Sequence, residues 1–286
     1  GPTVGGTGFF SSLAYRKLGL ETMLVTKVAA NDRQNLLSKL EQADTTIRCL
    51  ESSETLQFEN IYSSSDPNHR LQRILRFADP LTTRDLVDVS ADVFPLGPLA
   101  VGDIEPALFV DLATRGTVAL DVQGLLRLRR PGQVTLQMSP EIRKLVQQTD
   151  ILNVDMEEAR LLTGCQTTRD MLTELQSWGP REILITAGSH GSSICSPEGM
   201  SEIPAYRPKN TVDSTGCGDT YLAGYVAARL RGLSPYSSAH IGAAAASHKL
   251  EYAGPLQASF DALSEQIKLE TDAVDPATTD PYREKV

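Results

Sequence analysis

Hydrophobic and polar positions along this 286-residue chain change their period from one segment to the next. Apolar residues recur at roughly helical spacing in 9–20, which predicts a helix, and the apolar run at 22–28 predicts a strand after it. Residues 33–43 predict a second helix. The pattern then changes, because residues 55–62 and 70–77 alternate apolar and polar side chains around a turn-forming sequence. This alternation predicts a pair of half-exposed strands inserted in the chain.

From about residue 92, short apolar runs alternate with helical patterns. Apolar runs of this kind are typical of strands that are covered on both faces. The predicted strands are 93–97, 117–122, 151–154 and 182–188. The predicted helices are 139–148, 156–163, 219–232 and 236–250. The alternation predicts an α/β fold with a mostly parallel sheet between helices, and such sheets bind ligands at the carboxyl ends of their strands.

Composition and charge exclude several classes of protein. Hydrophobic residues make up 41% and charged residues 22%, and 27 Lys and Arg against 36 Asp and Glu give a net charge of −9. An acidic chain is a poor candidate for sequence-independent nucleic-acid binding, which needs a basic face. No apolar stretch approaches the ~18 residues of a membrane span, and we see no signal peptide. The cysteines lack any CxxC spacing, so we expect a reduced, cytoplasmic protein.

The segment 210–233 carries the most informative chemistry. Gly216 and Gly218 flank Cys217, and Asp219 follows at the start of an amphipathic helix. Small residues before a helix leave backbone N–H groups uncovered, and the helix dipole adds positive potential, so this position suits a phosphate. In a phosphoryl-transfer enzyme, Asp219 would accept the proton of an attacking hydroxyl. Alternatively, Asp219 is only a favourable first-turn acid and the glycines only form the turn.

The segment DSTGCGDTYLAGY at 213–225 resembles the C-terminal signature of the ribokinase-like carbohydrate kinases, the phosphofructokinase-B family. Residues 5–32 resemble the Gly-Gly segment of this family, DMEEARLLTG at 155–164 its N-x-x-E segment, and ITAGSHGSSI at 185–194 its T-x-G-x-x-G turn. The resemblance covers roughly 4–260 in the family's order. It implies a three-layer ribokinase-like fold with a small β-sheet lid, and ATP-dependent phosphorylation of a hydroxyl on a small molecule.

The resemblance also implies a role for individual residues of the catalytic and metal regions. Asp219 matches the catalytic base of the family. The implied anion hole is the backbone of Gly216, Cys217 and Gly218. Glu158 matches a residue that helps to hold Mg²⁺ through water, and Asp155 beside it replaces the family's usual Asn. The alternative for Glu158 is a solvated helix acid without a ligand.

Two further loops are implied to face the nucleotide and a cation. The nucleotide side is implied to consist of Thr186, Gly188 and Gly191. Asp213 and Thr215 match a loop that in some members of the family binds a monovalent cation such as K⁺. The alternative for Thr186 and Gly188 is that they only end a strand.

Substrate residues follow from the Gly-Gly segment and from one strand end. Gly5, Gly6 and Asp32 match the family's substrate side. Phe10 stands where ribokinases place a sugar-binding Asn, and an aromatic ring cannot make the same hydrogen bonds, so ribose is disfavoured. Asp121 and Gln123 project to the same side of the predicted strand 117–122, where they would meet a polyol. Alternatively, Asp121 caps the segment that follows.

Within the family, the chain resembles the myo-inositol kinase-like branch most. An inositol-like polyol is therefore the favoured acceptor, a nucleoside such as adenosine the second, and a keto-hexose derivative the third. A non-catalytic ligand-binding protein on the kinase fold is the alternative from another class, because a fold does not fix a function.

The domain organisation follows from the same resemblance. We expect one kinase domain over 1–265, in which about 44–79 contributes to the lid, and a polar tail over 266–286. Family members have a strand with a substrate-binding Asp before the Gly-Gly segment, so we expect this chain to be truncated before it. The lid would exclude water. Its apolar face allows either a monomer or a homodimer that pairs through the lid.

Overall fold

A computed structural model of the protein describes residues 3–62 and 70–271. Strands and helices alternate along most of this part of the chain, as the sequence predicts. The strands are β1 (Met23–Val28), β2 (Thr46–Glu51), β3 (Gln57–Tyr62), β4 (Arg70–Arg76), β5 (Val93–Leu96), β6 (Thr117–Asp121), β7 (Gly132–Gln133), β8 (Ile151–Asp155), β9 (Glu182–Thr186), β10 (Ser192–Ser196) and β11 (Gly199–Ile203). The helices are α1 (Thr7–Lys17), α2 (Arg33–Gln42), α3 (Pro106–Ala113), α4 (Ile142–Val146), α5 (Met156–Thr163), α6 (Thr168–Ser177), α7 (Cys217–Leu230), α8 (Pro235–Leu250) and α9 (Phe260–Thr271).

The central sheet has six strands in the order β11-β10-β9-β8-β6-β5. The four strands from β9 to β5 run parallel, whereas β10 and β11 add an antiparallel hairpin at one edge. The predicted parallel sheet is therefore confirmed. Its register places Asp121 opposite Asn153 and Asp155 opposite Thr186, which brings the polar ends of β6, β8 and β9 to one edge.

Alternate residues of the central strands pack into different hydrophobic clusters. Leu152 and Ile183 belong to the cluster that contains α3, α4, α5 and α6, whereas Ile151 and Leu184 belong to the cluster that contains α1, α7 and α8. Side chains of a strand point alternately to its two faces, so each apolar run supplies both clusters. The sheet is thus the middle of three layers.

The composition of the lid sheet differs from the prediction. It consists of β3, β4 and β7 in antiparallel pairing, so residues 132–133 join it from outside the predicted range. The first part of the predicted range is wrong, because β2 pairs in parallel with β1 in a separate two-stranded sheet. The predicted turn at 63–69 lies outside the described residues. Dimerisation through the lid stays a prediction.

A cavity of about 1650 Å³ is lined by residues of β1, of β5 and of the segment before α1. Gly5, Gly6, Phe10 and Asp32, four of the predicted substrate residues, all contribute to its lining. These four residues therefore surround one space. The expected strand before the Gly-Gly segment stays a prediction.

The C-terminal helix crosses the predicted domain boundary. Helix α9 runs from Phe260 to Thr271, so the boundary predicted at residue 265 falls inside a helix. Leu263 is fully buried and Ile267 packs against the same apolar cluster, which explains the helical start of the predicted tail. Residues 272–286 lie outside the described residues.

Two further expectations can be compared with the described residues. None of the helices within them combines the length and the apolar character that crossing a membrane requires. All four cysteines are free thiols, as the sequence predicts.

A polar clamp fixes helix α7 to the central sheet. Glu182, at the start of β9, accepts hydrogen bonds from the Tyr225 hydroxyl at 2.6 Å and from Arg229 Nη2 at 2.8 Å. The Glu182 side chain is only 11% exposed, so its charge depends on these two partners. The clamp holds the C-terminal half of α7 in place, and with it the direction of the whole helix.

Substituting Arg229→Met leaves the Glu182 carboxylate without its cation. We expect the free energy of unfolding to fall by about 2 kcal/mol, which lies between the cost of breaking an exposed pair and that of breaking a fully buried pair, because the Arg229 side chain is partly exposed. Urea titration followed by circular dichroism measures this change. The control is Arg160→Met, which breaks the exposed pair with Glu157 and should cost at most about 1 kcal/mol. Equal losses in the two variants would contradict the assignment.

Candidate active site

Acidic side chains gather where the parallel strands of the central sheet end. Asp121 is the last residue of β6, and Asp155 is the last residue of β8 and the N-cap of α5. Asp219 lies in the first turn of α7. A Cβ atom added to Gly218 would lie 4.0 Å from Asp121 Oδ2, so the start of α7 faces the end of β6. The structure therefore brings the predicted base Asp219 to the polar edge of the sheet.

A tight turn at Gly216 sets the position of Asp219. Gly216 is the N-cap of α7 and has a φ angle of 80°, which favours glycine. A Cβ atom there would lie 2.3 Å from Phe10 Cγ, so the ring leaves no room for a side chain. Phe10 is only 5% exposed. Phe10 therefore packs against this turn, and its predicted contact with the substrate stays a prediction.

The first turn of α7 differs in one detail from the predicted anion hole. The Cys217 N–H donates to the Ser214 carbonyl at 3.2 Å, so this donor is already engaged. The first hydrogen bond of the helix runs from Thr220 N–H to the Gly216 carbonyl. The N–H groups of Gly218 and Asp219 precede it, and such groups have no partner within their own helix. They are the donors best placed for an anion.

The Cys217 side chain is unsuited to nucleophilic chemistry. Its Sγ donates to the Ala246 carbonyl at 3.7 Å. Burial raises the pKa of the thiol to about 11, although the Lys249 ammonium acts in the opposite direction. The thiol is therefore protonated at neutral pH, and a thiolate is the form that attacks. Cys217 acts here as a small residue beside the turn.

Asp219 has the properties of a base that works near neutrality. Burial raises the pKa of its carboxyl group to about 7, and the nearby charge of Asp121 acts in the same direction. The Thr7 side chain, which hydrogen-bonds to the carboxyl group, and the Arg127 guanidinium both lower it. A general base is most effective when its pKa lies close to the working pH.

Asp121 is fixed by two hydrogen bonds. Its carboxyl group accepts from Asn153 Nδ2 at 2.9 Å and from the Gln123 N–H at 3.1 Å, and burial raises its pKa. Asp121 thus accepts a hydrogen bond from the segment that follows β6, whereas the N-cap of that segment is Val122, and the predicted contact of Asp121 with a polyol stays a prediction. Strand alternation does not extend to Gln123, contrary to the prediction, because β6 ends at Asp121 and Gln123 begins a short 3₁₀ helix.

Asp155 and Glu158 form a capping box at the start of α5. Asp155 Oδ1 accepts from the Glu158 N–H at 2.8 Å, and the Asp155 N–H donates to Glu158 Oε2 at 3.0 Å. Glu158 is 3% exposed, which overturns the alternative of a solvated helix acid. Burial and the charges of Asp155 and Asp121 raise the pKa of Glu158 to about 8. This crowding of negative charge favours a cation.

The carboxyl groups of Asp121, Asp155, Glu158 and Asp219 form an acidic edge, and this edge offers ligands that suit a magnesium ion. Mg²⁺ usually takes one or two carboxylates and fills its other positions with water and phosphate oxygens. Asp155 and Glu158 supply that number, and no group of three or more acidic, His or Cys ligands occurs in the described parts of the chain. The buried Asn153 Oδ1 accepts no hydrogen bond there, so it adds an available oxygen.

The predicted nucleotide residues follow β9. Thr186 ends this strand, and its hydroxyl donates to the Val154 carbonyl at 3.5 Å, so it also links the ends of two strands. Gly188 is exposed and begins a short 3₁₀ helix. Gly191 has a φ angle of 89°, and a Cβ atom there would lie 2.2 Å from the Ile203 carbonyl oxygen. Gly191 is thus required by the packing of this turn against β11.

The predicted cation loop is occupied by a side chain of the protein. The Thr215 N–H donates to Asp213 Oδ1 at 2.9 Å. Lys249 Nζ donates to the Asp213 carbonyl oxygen at 2.8 Å and lies 3.3 Å from Asp213 Oδ2. Asp213 therefore faces an ammonium group from α8.

Arg127 connects the acidic edge to the lid. Its guanidinium lies over the Phe58 ring of β3, 5.5 Å from the ring centroid, and its Nη2 donates to Gln72 Oε1 of β4 at 3.4 Å. The same charge lowers the pKa of both Asp121 and Asp219. Arg127 is 6% exposed, so this charge lies within the fold.

Four polar residues of this site are not predicted from the sequence, namely Thr7, Arg127, Asn153 and Lys249. Each acts through a contact or a charge with a residue distant in the sequence, which no local period reveals. Of these four residues, only Thr7 could have been identified from the sequence, because it directly follows Gly5 and Gly6.

Comparison with known proteins agrees with this geometry. The sequence profile of the pfkB family carbohydrate kinases matches residues 3–261. A pyrophosphate-dependent kinase in the ribokinase family, solved with a pyrophosphate analog and myo-inositol, has a TM-score of 0.79 and 25% identity, covering 88% of this chain and 89% of that chain. This similarity confirms the predicted ribokinase-like fold.

Two curated proteins are also similar to the chain. The inositol 3-kinase of Zea mays is 30% identical over 189 residues, which are 64% of this chain and 46% of that protein. A 2-dehydro-3-deoxygluconokinase of Escherichia coli is 29% identical over 147 residues, which are 50% of this chain and 47% of that protein. The matched part of the chain thus spans about half the length of these relatives.

The charge balance around Asp219 can be tested directly. Asp121→Asn removes a negative charge, so we expect the pKa of Asp219 to fall. Thr7→Val removes a hydrogen bond to the carboxyl group, so we expect that pKa to rise. Carbon-13 NMR of protein labelled at the aspartate carboxyl carbons measures both, with Asp219→Asn to identify the resonance. A pKa of Asp219 that is the same in both variants would contradict this account.

Proposed function

Because the chain belongs to the pfkB family of carbohydrate kinases, we propose that it transfers the γ-phosphoryl group of ATP to a hydroxyl group of a small polyol, sugar or cyclitol. The observation that carries this proposal is the position of Asp219, a carboxyl group with a pKa of about 7 in the first turn of α7. A proton acceptor and uncovered N–H donors then lie side by side, as phosphoryl transfer to a hydroxyl requires.

Gly216, which precedes α7, and the residues of the first turn of α7 have different roles in the proposed reaction. Asp219 accepts the proton of the acceptor hydroxyl while the hydroxyl oxygen attacks the γ-phosphorus of ATP. The bond between that phosphorus and the bridging oxygen breaks, and ADP leaves. The N–H groups of Gly218 and Asp219, together with the positive end of the helix dipole, hold the transferring phosphoryl oxygens. Gly216 sets the direction of both, because no residue with a side chain fits over the Phe10 ring.

The acidic edge supplies the metal side of the proposed site. Asp155 and Glu158 would hold Mg²⁺, in part through water, with Asn153 Oδ1 close to them. A bound Mg²⁺ neutralises charge on the phosphate oxygens of the donor. Thr186 and Gly188 lie at the neighbouring strand end and are proposed to face the nucleotide.

An inositol-like polyol is the acceptor we propose. Similarity to the inositol 3-kinase of Zea mays and to a kinase solved with myo-inositol supports this choice. Gly5, Gly6 and Asp32 line one cavity with the lid residue Phe58, and we propose that these residues face the acceptor. The lid would exclude water, which otherwise competes with the acceptor hydroxyl. A nucleoside and a keto-hexose derivative remain the second and third acceptors.

The first experiment measures ADP release with ATP and Mg²⁺ across myo-inositol, adenosine, ribose and hexose derivatives. We expect turnover with myo-inositol or a close relative, and Asp219→Asn should lower kcat by at least ~10²-fold while ATP binding persists. Pyrophosphate in place of ATP is the donor control, because a similar kinase uses it. Full turnover in Asp219→Asn would overturn the base assignment, whereas tight ligand binding without any transfer would indicate a binding protein.

The pH dependence of turnover follows from the same carboxyl group. The base is active when deprotonated, so kcat/KM should decline as the pH falls below about 7. Rates measured between pH 5 and 9 test this expectation. A profile that is flat across this range would contradict Asp219 as the base.

Asp219 should also make the folded protein less stable at high pH. Its pKa is about 7 in the folded protein against an ordinary 3.8, so folding favours the protonated form between these values. The stability that this group contributes is complete below pH 3.8 and is lost as the pH rises through 7. Asp219→Asn should therefore raise Tm at pH 8 and leave it nearly unchanged near pH 4. Scanning calorimetry at both pH values measures the effect.

A further inference from the structure

A buried ammonium group lies behind the proposed anion hole and has no role in the mechanism above. Lys249 is fully buried near the C-terminal end of α8. Its Nζ donates to the Asp213 carbonyl oxygen at 2.8 Å and to the Tyr252 carbonyl oxygen at 3.3 Å, and lies 3.3 Å from Asp213 Oδ2. Burying a charge is costly unless it is paired, so these three oxygens must offset that cost.

The oxygens around Lys249 come from the two segments that flank α7 and α8. Asp213 precedes the Gly216 turn, and Tyr252 follows α8. The backbone joins the same segments, since the Val212 N–H donates to the Leu250 carbonyl at 2.8 Å. The ammonium thus links Asp213, just before the Gly216 turn, to Tyr252, just after the C-terminal end of α8.

The Phe10 ring completes the surroundings of this ammonium. Lys249 Nζ lies 5.6 Å from the centroid of the Phe10 ring, within the range of a cation–π contact. The same ring packs against Gly216. Lys249 and Gly216 therefore both pack against the Phe10 ring.

The three oxygens form the kind of environment that suits a monovalent cation. They comprise two neutral carbonyl oxygens and one carboxylate oxygen, so a single positive charge balances them. We propose that the Lys249 ammonium acts as a tethered monovalent cation, which holds the 213–219 turn in its active shape and adds positive potential behind the anion hole. Lys249 is a positioning residue in this proposal, which rests on the proposed phosphoryl transfer.

Cation dependence should differ between the unmodified protein and variants of Lys249. A chain that carries its own cation needs none from solution, so the unmodified protein should not respond to K⁺. Removing the side chain beyond Cβ in Lys249→Ala leaves the oxygens and a space, which K⁺ or NH₄⁺ would fill. Lys249→Met keeps the volume of the side chain without its charge, so a free cation should not restore it.

The experiment measures kcat, KM and Tm for the unmodified protein and for both variants in choline chloride, KCl and NH₄Cl at equal ionic strength. We expect the unmodified protein to change by less than ~2-fold between salts. Lys249→Ala should lose at least ~10-fold in kcat in choline chloride, with a smaller effect on KM, and recover in KCl or NH₄Cl. Its Tm should rise with KCl but not with choline chloride, as for any ligand of the folded state.

The control variant is Lys144→Ala, which removes an exposed lysine of α4 and should show no dependence on the salt. Activation of the unmodified protein by K⁺ of ~10-fold or more would overturn the proposal. A folded Lys249→Ala variant with normal kcat in choline chloride, or with a loss that neither salt restores, would do the same. The salt response of the unmodified protein decides the matter if Lys249→Ala fails to fold.

Failure of this inference can be separated from failure of the proposed function. The Tm of Lys249→Ala reports cation binding whether or not the protein turns over any acceptor. A Tm that rises with KCl in a protein without turnover would support the cation site and contradict only the proposed reaction. A Tm that is insensitive to KCl in an active protein would contradict only the cation site.

Discussion

The crowding of carboxyl groups at one edge of the central sheet is the constraint on which the rest of the site depends. Parallel strands bring their carboxyl ends together, so Asp121 and Asp155 meet there, and the start of α7 adds Asp219. Burial raises the pKa of Glu158 beside them to about 8, and the charges of Asp155 and Asp121 act in the same direction. Such an arrangement costs stability, and the apolar clusters on both faces of the sheet must offset that cost.

Two buried, positively charged side chains lie near this site, and they have different effects. Arg127 lies at the acidic edge and lowers the pKa of Asp121 and Asp219. Lys249 lies on the other side of the Gly216 turn and pairs with Asp213. Arg127 therefore affects the proton affinity of the base, whereas Lys249 binds the backbone that precedes the turn. The positive φ angle of Gly216 and the Phe10 ring against it both exclude a side chain at this position.

The sequence predicts the layers of the fold better than the contacts of the site. Strands β8 and β9 are readily predicted because their apolar runs are short and bounded. Strand β2 is misassigned because its half-buried residues resemble those of a lid strand, and its parallel partner β1 cannot be inferred from local pattern. Gln123 is misplaced for a related reason, since nothing in the alternation marks where β6 gives way to a 3₁₀ helix. Tertiary contacts determine where a strand such as β6 ends, and the local sequence pattern does not contain them.

Arg127 shows why a local pattern cannot reveal the remaining site residues. Its guanidinium contacts the Phe58 ring of the lid, donates a hydrogen bond to Gln72, and still acts on the carboxyl groups of Asp121 and Asp219. A planar group with several donors meets these demands together, whereas the compact ammonium of a lysine does not. The charge of Arg127 thus acts on the lid and on the base Asp219. Its partners come from segments that are separate in the sequence. Its place in the site becomes visible only once those segments are folded together.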